Sequence, residues 1–285
     1  MSMNWTTFRT RTMTAVVFVI IMLTGMLLNE WSFFVLFSII HAGCWIEYHR
    51  LNQKILPSYI NLHALYRAGL LFIGWGFCFW MYRSAITHEL FAKTGILLLA
   101  AGSFALITGT LLSLKAGIKS LAAGFIGLIY FSLSFALLMH LRSGVISSDV
   151  LSAVKWLPLL LIGAIWINDT MAYVVGSFIG KTPLSPISPK KTWEGTIGGI
   201  ILSVAIGAIS GYCFLSPEGG KHFASIAFIA SVTGTLGDLL ESKLKRMAGV
   251  KDSGHFMPGH GGFLDRFDSL LLAAPFVWVY IWLMA

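Results

Sequence analysis

Long apolar runs separated by short polar segments dominate this chain of 285 residues. A bilayer core of about 30 Å needs roughly 20 apolar residues per helix, so such runs can be counted as candidate spans. They fall at about residues 12–28, 31–46, 68–82, 92–112, 120–141, 154–178, 195–215, 223–240 and 268–284. The pattern predicts an all-α, polytopic transmembrane protein with about nine spans. A small membrane barrel would instead show weaker, alternating segments.

The apolar runs also indicate whether the first helix is retained and where helices pack closely. The first run follows Arg9 and Arg11, as in a signal peptide, but it lacks a small-residue cleavage site and a second run follows at once. We therefore expect a retained helix. Glycines four residues apart, such as Gly195 with Gly199, predict close helix contacts in the bilayer.

Composition and charge add an orientation. Only 11% of the residues are charged and the mean hydropathy is +0.79, whereas soluble domains carry about 25% charged residues. With nine spans and a cytoplasmic N-terminus, fifteen Lys and Arg residues fall in cytoplasmic loops and five on the other side. Positive charge prefers the cytoplasmic side, so a cytoplasmic N-terminus is predicted. The net charge of +8 does not by itself distinguish an anion-binding enzyme from a well-oriented bystander.

Polar chemistry is unevenly distributed along the chain. Up to about residue 155 the sequence contains spans and short loops, and almost every unusual residue follows. We predict one membrane-embedded domain, residues 1–285, with a helical scaffold half at 1–155 and a catalytic half at 156–285. No internal repeat is evident, which argues against a secondary transporter.

Asp169 lies near the middle of the sixth predicted span, in "GAIWINDTMAYVVGS". A charged side chain there costs roughly 2.5 to 3.5 kcal/mol, so it is expected to face a polar cavity. Tyr173 follows at i+4 and would share its helix face. The alternatives are a protonated Asp169 hydrogen-bonded between helices, or the ion site of an ion-coupled transporter.

The segment "GKTPLSPISPKKTWEG", residues 180–195, precedes the seventh predicted span. Its prolines recur every third residue, which favours an extended loop. Ser188 before Pro189 predicts a helix start, with Lys190 and Lys191 in the first turn. Cations are unfavourable at a helix N-terminus unless an anion binds there, and phosphate is the obvious candidate. Alternatively, both lysines extend to the lipid headgroups.

The eighth span ends in "GTLGDLLESKLKR". Asp238, Glu241 and Lys245 fall at i, i+3 and i+7 on one helical face, with Ser242 beside Asp238. A solvated surface stripe from Glu241 to Arg246 is the ordinary explanation of this pattern.

The stretch "MPGHGGFLDRFD", residues 257–268, contains one histidine, three glycines, one arginine and two aspartates just before the last span. Asp265 and Asp268 stand at i and i+3, on the first turn of a helix beginning near Phe263. Two carboxylates that close repel unless a cation intervenes, and oxygen ligands of this kind suit Mg²⁺. Since no cysteine is near, zinc is disfavoured.

Glycines and basic residues surround these acids and predict anion binding. Gly259, Gly261 and Gly262 allow backbone amides to form an anion nest. Lys245, Arg246, Lys251 and Arg266 are placed to neutralise phosphate charge. Together the features indicate metal-assisted phosphoryl or nucleotidyl transfer.

Two ordered motifs carry a family resemblance. The run "SKLKRMAGVKDSGHFMPGHGGFLDRFD", residues 242–268, resembles the signature of the phosphatidate cytidylyltransferases, or CDP-diacylglycerol synthases. The block from Asn168 to Gly195, ending in "ISPKKTWEG", resembles the upstream motif of the same family. The resemblance covers about 100 residues. Ser177, where a basic residue is frequent, and His255, where Asn is frequent, depart from the pattern.

The resemblance implies an activity, with its cofactors and partners. It implies condensation of CTP with phosphatidic acid to CDP-diacylglycerol and pyrophosphate, in phospholipid biosynthesis. Mg²⁺ would be required, aided by a monovalent cation such as K⁺. The enzyme would be a homodimer in a bacterial-type cytoplasmic (inner) membrane, with membrane lipid but no nucleic acid as a partner. Its active site would face the cytoplasm.

The resemblance also assigns roles to residues. The metal would be held by Asp238 and Asp265, with Asp268 close by. Lys191 and His260 complete the predicted catalytic set, with His260 as a supporting hydrogen-bond donor and not a base. The predicted substrate-binding residues are Asp169, Ser188, Lys190, Lys191, Lys245, Arg246, Lys251, Gly261, Gly262 and Arg266.

Overall fold

The computed structural model describes residues 5–87, 89–144, 156–257 and 261–284. In this part of the chain the helices are α1 Trp5–Leu27, α2 Glu30–Ile55, α3 Ala64–Tyr82, α4 Glu89–Leu112, α5 Gly117–Gly127, α6 Ser134–Arg142, α7 Leu157–Ile179, α8 Trp193–Phe214, α9 Pro217–Met247 and α10 Leu264–Met284. Between α7 and α8 lie two short strands, β1 Pro183–Ser185 and β2 Ser188–Thr192. A π-helical segment, Leu128–Leu133, joins α5 to α6.

Helix length and composition agree with the predicted fold class. Among the described residues, eight helical segments are long and apolar enough to cross a membrane. One of them runs continuously from Leu114 to Arg142, and α1 adds a shorter apolar stretch, Thr12–Leu27. The all-α, polytopic prediction is confirmed. The side of the membrane on which the N-terminus lies stays a prediction.

The chain divides into two compact units. Unit 1 contains Met1–Ala136 and Leu244–Phe267, and unit 2 contains Leu137–Lys243 and Asp268–Ala285. The predicted division into a scaffold half and a catalytic half stays a prediction.

Unit 1 has an aromatic core and glycine-mediated helix packing. Phe33, Phe37 and Trp45 of α2 are almost completely buried. A Cβ added at Gly69 of α3 would lie 2.5 Å from the backbone nitrogen of Leu106 in α4. The α3 and α4 backbones are therefore in direct contact, as small residues allow in membranes.

Unit 2 uses the predicted glycine spacing in α8. A Cβ at Gly195 would lie 2.6 Å from the carbonyl oxygen of Ala172 in α7, and one at Gly199 would lie 2.7 Å from that of Asn168. Further along α8, a Cβ at Gly207 would lie 2.9 Å from the carbonyl oxygen of Phe223 in α9. The prediction of close helix contacts at these glycines is confirmed.

The segment before α8 differs from the prediction. Ser188 and Pro189 do not start the helix; they lie in β2, which pairs with β1 in an antiparallel hairpin. The helix begins at Trp193, and Thr192 caps it by accepting a hydrogen bond from the Gly195 amide at 3.2 Å. Thr is a favourable N-cap, and proline is tolerated in an edge strand because its missing N–H is not needed there.

This correction also changes the argument for the two lysines. Lys190 and Lys191 lie in β2 and not in the first helical turn. The helix dipole therefore gives no reason for their position, and any role must follow from their own contacts.

Candidate functional site

Three carboxylates of unit 2 form what we call the acid cluster: Asp238, Glu241 and Asp268. One carboxylate oxygen from each lies within 4.8 Å of the others. It is the one group of this kind found among the described residues. Asp238 and Glu241 come from α9, and Asp268 comes from α10.

Helical spacing and a close helix contact build this cluster. Asp238 and Glu241 stand at i and i+3, so both project from one side of α9. Gly237 allows α10 to approach, because a Cβ there would lie 2.5 Å from the carbonyl oxygen of Asp268. The Ser242 hydroxyl donates to Asp238 Oδ1 at 3.2 Å, and the Ser269 amide donates to Asp268 Oδ1 at 2.7 Å.

The acid cluster is mostly shielded from solvent. Glu241 is fully buried and Asp268 is 9% exposed. The Asp238 side chain is 27% exposed. Carboxylates this close repel each other, and burial strengthens the repulsion. A cation bound between the three carboxylates would offset this repulsion.

Lys191 supplies positive charge to the cluster. Its ammonium group forms an ion pair with Asp238 Oδ2. The Lys191 side chain therefore reaches from β2 to the acids of α9. Lys190, its neighbour in the strand, is exposed.

Sequence analysis missed Glu241 as a site residue. The ordinary explanation, a solvated stripe from Glu241 to Arg246, is wrong for Glu241, which has no exposed surface. The signal was present in its i+3 spacing from Asp238. The spacing alone did not reveal that α10 would cover that face.

Asp169 is exposed on α7, and Tyr173 on the same face is 77% exposed. Asn168 donates to Asp169 Oδ1 at 3.4 Å. Ser188 is half-buried in the hairpin.

Asp265 belongs to unit 1 and has a different environment. Lys245 donates to its Oδ1 at 2.7 Å. Its Oδ2 faces the Ser253 amide at 2.9 Å, the Ser253 hydroxyl at 2.9 Å and the Gly262 amide at 2.8 Å. The Asp265 side chain is 7% exposed and that of Lys245 is 13% exposed, so the ion pair is largely buried. Asp265 also holds the preceding loop through its contacts with Ser253 and Gly262.

The glycines of the predicted anion nest contribute to this loop. Gly261 has a φ of +84°, a backbone conformation that favours glycine. The Gly262 amide is directed at Asp265 and not outward. Gly259 and His260 lie outside the described residues, so the roles predicted for them stay predictions.

The remaining predicted basic residues are at the surface. Arg246, Lys251 and Arg266 are exposed, and Arg246 donates to the carbonyl oxygen of Val250 at 3.2 Å. Lys245 is the exception, since it is held by Asp265.

These features define a class of protein: a polytopic helical membrane protein with a buried acid cluster and a lysine paired to it. The sequence model of the cytidylyltransferase family matches residues 9–284. The chain therefore belongs to the cytidylyltransferase family, an enzyme family of nucleotidyltransferases, and the resemblance drawn from its two motifs is confirmed.

Individual relatives agree with this assignment. A phosphatidate cytidylyltransferase of Bacillus subtilis is 33% identical over 274 residues, which cover 94% of this chain and 95% of that protein. One of Synechocystis sp. is 42% identical over 126 residues, or 44% of this chain and 43% of that protein. One of Helicobacter pylori is 42% identical over 123 residues, or 43% and 44% of the two chains. The two shorter matches span less than half the length of those relatives.

Proposed function

We propose that this protein is a Mg²⁺-dependent phosphatidate cytidylyltransferase. It would transfer CMP from CTP to phosphatidic acid and release pyrophosphate, giving CDP-diacylglycerol. The observation that carries the proposal is the acid cluster with Lys191 paired to Asp238. The names of the relatives point to the same reaction.

The donor set of the acid cluster fits Mg²⁺. This ion prefers carboxylate oxygens, retained waters and substrate phosphate oxygens. Asp238, Glu241 and Asp268 offer three carboxylates within a few ångströms of each other. When bound, Mg²⁺ would neutralise the charge of the triphosphate and polarise its phosphoryl oxygens. A monovalent cation such as K⁺ remains part of the proposal on the resemblance alone.

The chemical step is a displacement at the α-phosphorus of CTP. A phosphate oxygen of phosphatidic acid forms the new P–O bond, and the bond to the bridging oxygen of the β-phosphate breaks. Pyrophosphate leaves with that electron pair. The second pKa of a phosphate monoester is about 6, so the attacking oxygen is already largely deprotonated at neutral pH and no general base is required.

Bringing two polyanions together is the main barrier to this reaction. Electrostatic stabilisation and positioning supply most of the catalysis in phosphoryl transfer. Lys190 and Lys191 on β2 are proposed to neutralise phosphate charge. The phosphate-binding role predicted from the sequence for Lys251 and Arg266 stays part of the proposal. Asp169 and Ser188 are proposed to line the polar surface that meets the substrate headgroup.

The membrane setting explains the lipid substrate. The protein has enough apolar helices for an integral membrane protein, so the acyl chains of phosphatidic acid would stay in the bilayer. We propose a cytoplasmic active site, because CTP is a cytoplasmic nucleotide and positive charge favours that side. A homodimer in a bacterial inner membrane completes the proposal.

Purified protein in detergent tests the reaction directly. Incubation with CTP labelled in the cytidine ring, phosphatidic acid and Mg²⁺ is expected to give a labelled lipid, and a chelator should abolish it. A transporter that uses Asp169 would form no such lipid. Absence of labelled lipid from folded protein would refute the proposal, and dCTP and other nucleotides in the same assay would define nucleotide selectivity.

A Mg²⁺ titration tests the ligand role predicted for Asp265. If Asp265 binds the ion, Asp265→Asn will raise the Mg²⁺ concentration needed for half-maximal activity. If activity falls but the Mg²⁺ concentration for half-maximal activity is unchanged, Asp265 is not a metal ligand and its role is limited to its contacts with the loop.

A further inference from the structure

Glu47 is a buried acid in α2, in the half of the sequence predicted to be scaffold. It is 4% exposed, and its carboxylate accepts hydrogen bonds from the segment that joins α9 to α10 and from the first residue of α10. We call residues 248–263 the α9–α10 loop; residues 258–260 of it lie outside the described part. All the residues concerned belong to unit 1.

The Glu47 carboxylate binds the end of this loop and the start of α10. Its Oε1 accepts a hydrogen bond from the Phe263 amide at 2.9 Å. Its Oε2 accepts one from the Leu264 amide at 2.8 Å, and Leu264 is the first residue of α10. First-turn amides have no partner within their own helix, so Glu47 satisfies groups that would otherwise lack an acceptor.

A second connection reaches Asp265 through Ser253. The Ser253 hydroxyl lies 2.8 Å from Glu47 Oε2 and 2.9 Å from Asp265 Oδ2. Its single proton serves one of these oxygens at a time, and the Ser253 amide holds Asp265 in addition. Glu47, Ser253 and Asp265 therefore form one connected polar group.

The residues around this group pack closely against Glu47. A Cβ added at Gly254 or Gly262 would overlap the Glu47 carboxylate. Gly43, one turn before Glu47 on α2, gives space to the Phe263 ring, which stacks on Phe256 with centroids 4.0 Å apart. The same face of α2 thus holds both the backbone and the side chain of Phe263.

We infer that Glu47 is a positioning residue for the proposed reaction, which fixes the α9–α10 loop and the first turn of α10. This inference rests on the proposed function, because Lys251 of the loop and Arg266 of that turn are proposed to meet substrate phosphates. Glu47 itself has no substrate contact in this scheme. It determines where those cations stand.

Glu47→Gln is the decisive substitution because it keeps the size of the side chain. An amide group presents N–H donors on one side, whereas Oε1 and Oε2 of Glu47 must accept from the Phe263 and Leu264 amides. At least one backbone amide loses its partner. Glu30→Gln is the matched control: it lies on the same helix, where Glu30 Oε2 accepts from the Tyr82 hydroxyl at 2.5 Å.

Two measurements separate positioning from simple loss of folded protein. Hydrogen exchange followed by mass spectrometry should show faster exchange in residues 251–257 and 261–266 of Glu47→Gln, but not of Glu30→Gln. In the lipid-forming assay, KM for CTP should rise about tenfold, equivalent to about 1.4 kcal/mol of lost binding. A variant that only unfolds more easily would lower the maximal rate and leave KM unchanged.

Ser253→Ala provides a second route if Glu47→Gln does not accumulate in the membrane. It removes the bridging hydroxyl but leaves the Glu47 contacts with Phe263 and Leu264. A smaller rise in KM and in loop exchange is expected. If Glu47→Gln is unfolded, and Ser253→Ala has the KM and the loop exchange of the wild-type protein, the inference is overturned.

The outcomes also separate this inference from the proposed function. If wild-type protein forms labelled lipid but Glu47→Gln matches it in KM and loop exchange, the positioning role is wrong and the function stands. If folded wild-type protein forms no labelled lipid, the proposed function fails and the catalytic part of the inference fails with it. Loop exchange still decides in that case whether Glu47 holds the loop.

Discussion

The acid cluster and the α9–α10 loop use carboxylates in opposite ways. In the acid cluster, Asp238, Glu241 and Asp268 face one another. In the loop, Glu47 and Asp265 face backbone amides, a hydroxyl and a lysine. Acids that face donors are stabilised within the protein itself, whereas acids that face each other in a buried setting require added positive charge. The acid cluster is therefore suited to binding a cation, and the acids of the loop are suited to holding the loop in place.

The largest expected effect comes from the acid cluster. Glu241→Gln and Asp268→Asn each remove one of the three facing charges, so the proposed metal site loses a ligand. Activity should fall by more than the roughly 10- to 100-fold that the loss of a supporting partner costs at metal sites. Labelled-lipid formation across a Mg²⁺ titration measures it.

Glu218→Gln is the control for these substitutions. Glu218 lies at the other end of α9 and forms a surface ion pair with Lys221 at 2.9 Å. Exposed pairs contribute little, so near wild-type activity is expected. If Glu241→Gln were as active as Glu218→Gln, the acid cluster would not be the metal site.

Lys191 should matter more than Lys190. Lys191→Ala removes the ammonium group paired with Asp238, leaving the acids with less compensating charge. We expect kcat/KM to fall about tenfold, equivalent to about 1.4 kcal/mol. Lys190→Ala, an exposed neighbour in the same strand, should lose less. Equal losses in steady-state kinetics would indicate that the two lysines act only as general positive charge.

These features differ in how far sequence could predict them. The apolar runs determined the helical class, since a span needs only length and hydropathy. The i+3 spacing of Glu241 placed it beside Asp238, but its burial depends on α10 and was missed. The start of α8 was misplaced because Ser188 and Thr192 are both good caps, and hairpin pairing decided between them.

Glu47 shows the limit most clearly. Its partners are 206 to 217 residues away in sequence, so no local pattern marks it. Glu47 directly follows the predicted span 31–46, where a polar residue is ordinary, so its position in the sequence gave no signal. Local motifs identify the loop, but not the distant residue that holds it in place.

The packing around Glu47 can be tested without substituting an acidic residue. A Cβ at Gly262 would overlap the Glu47 carboxylate, so Gly262→Ala must displace it. Overpacking of this kind costs about 1 to 3 kcal/mol. The thermal midpoint in detergent, followed by tryptophan fluorescence, should fall.

Gly163→Ala is the matched control for that change. A Cβ at Gly163 in α7 meets no atom within 4 Å, and Ala is favoured over Gly in a helix by about 0.5 to 1 kcal/mol. Its midpoint should stay the same or rise slightly. If Gly262→Ala unfolded at the wild-type midpoint, the carboxylate would not be fixed by its surroundings.

The smallest effect is expected at Glu194, an acid that also faces donors. Its oxygens accept from the Thr182 hydroxyl at 2.8 Å and from the Lys181 and Thr182 amides at 3.1 to 3.2 Å. These partners are as numerous as those of Glu47, but they are 12 to 13 residues away and exposed. Glu194→Gln should therefore speed hydrogen exchange at residues 181–182 and leave the thermal midpoint nearly unchanged, because water replaces the lost partners. A clear fall in the thermal midpoint would mean that the number of donors, and not their burial, sets the strength of these carboxylate contacts.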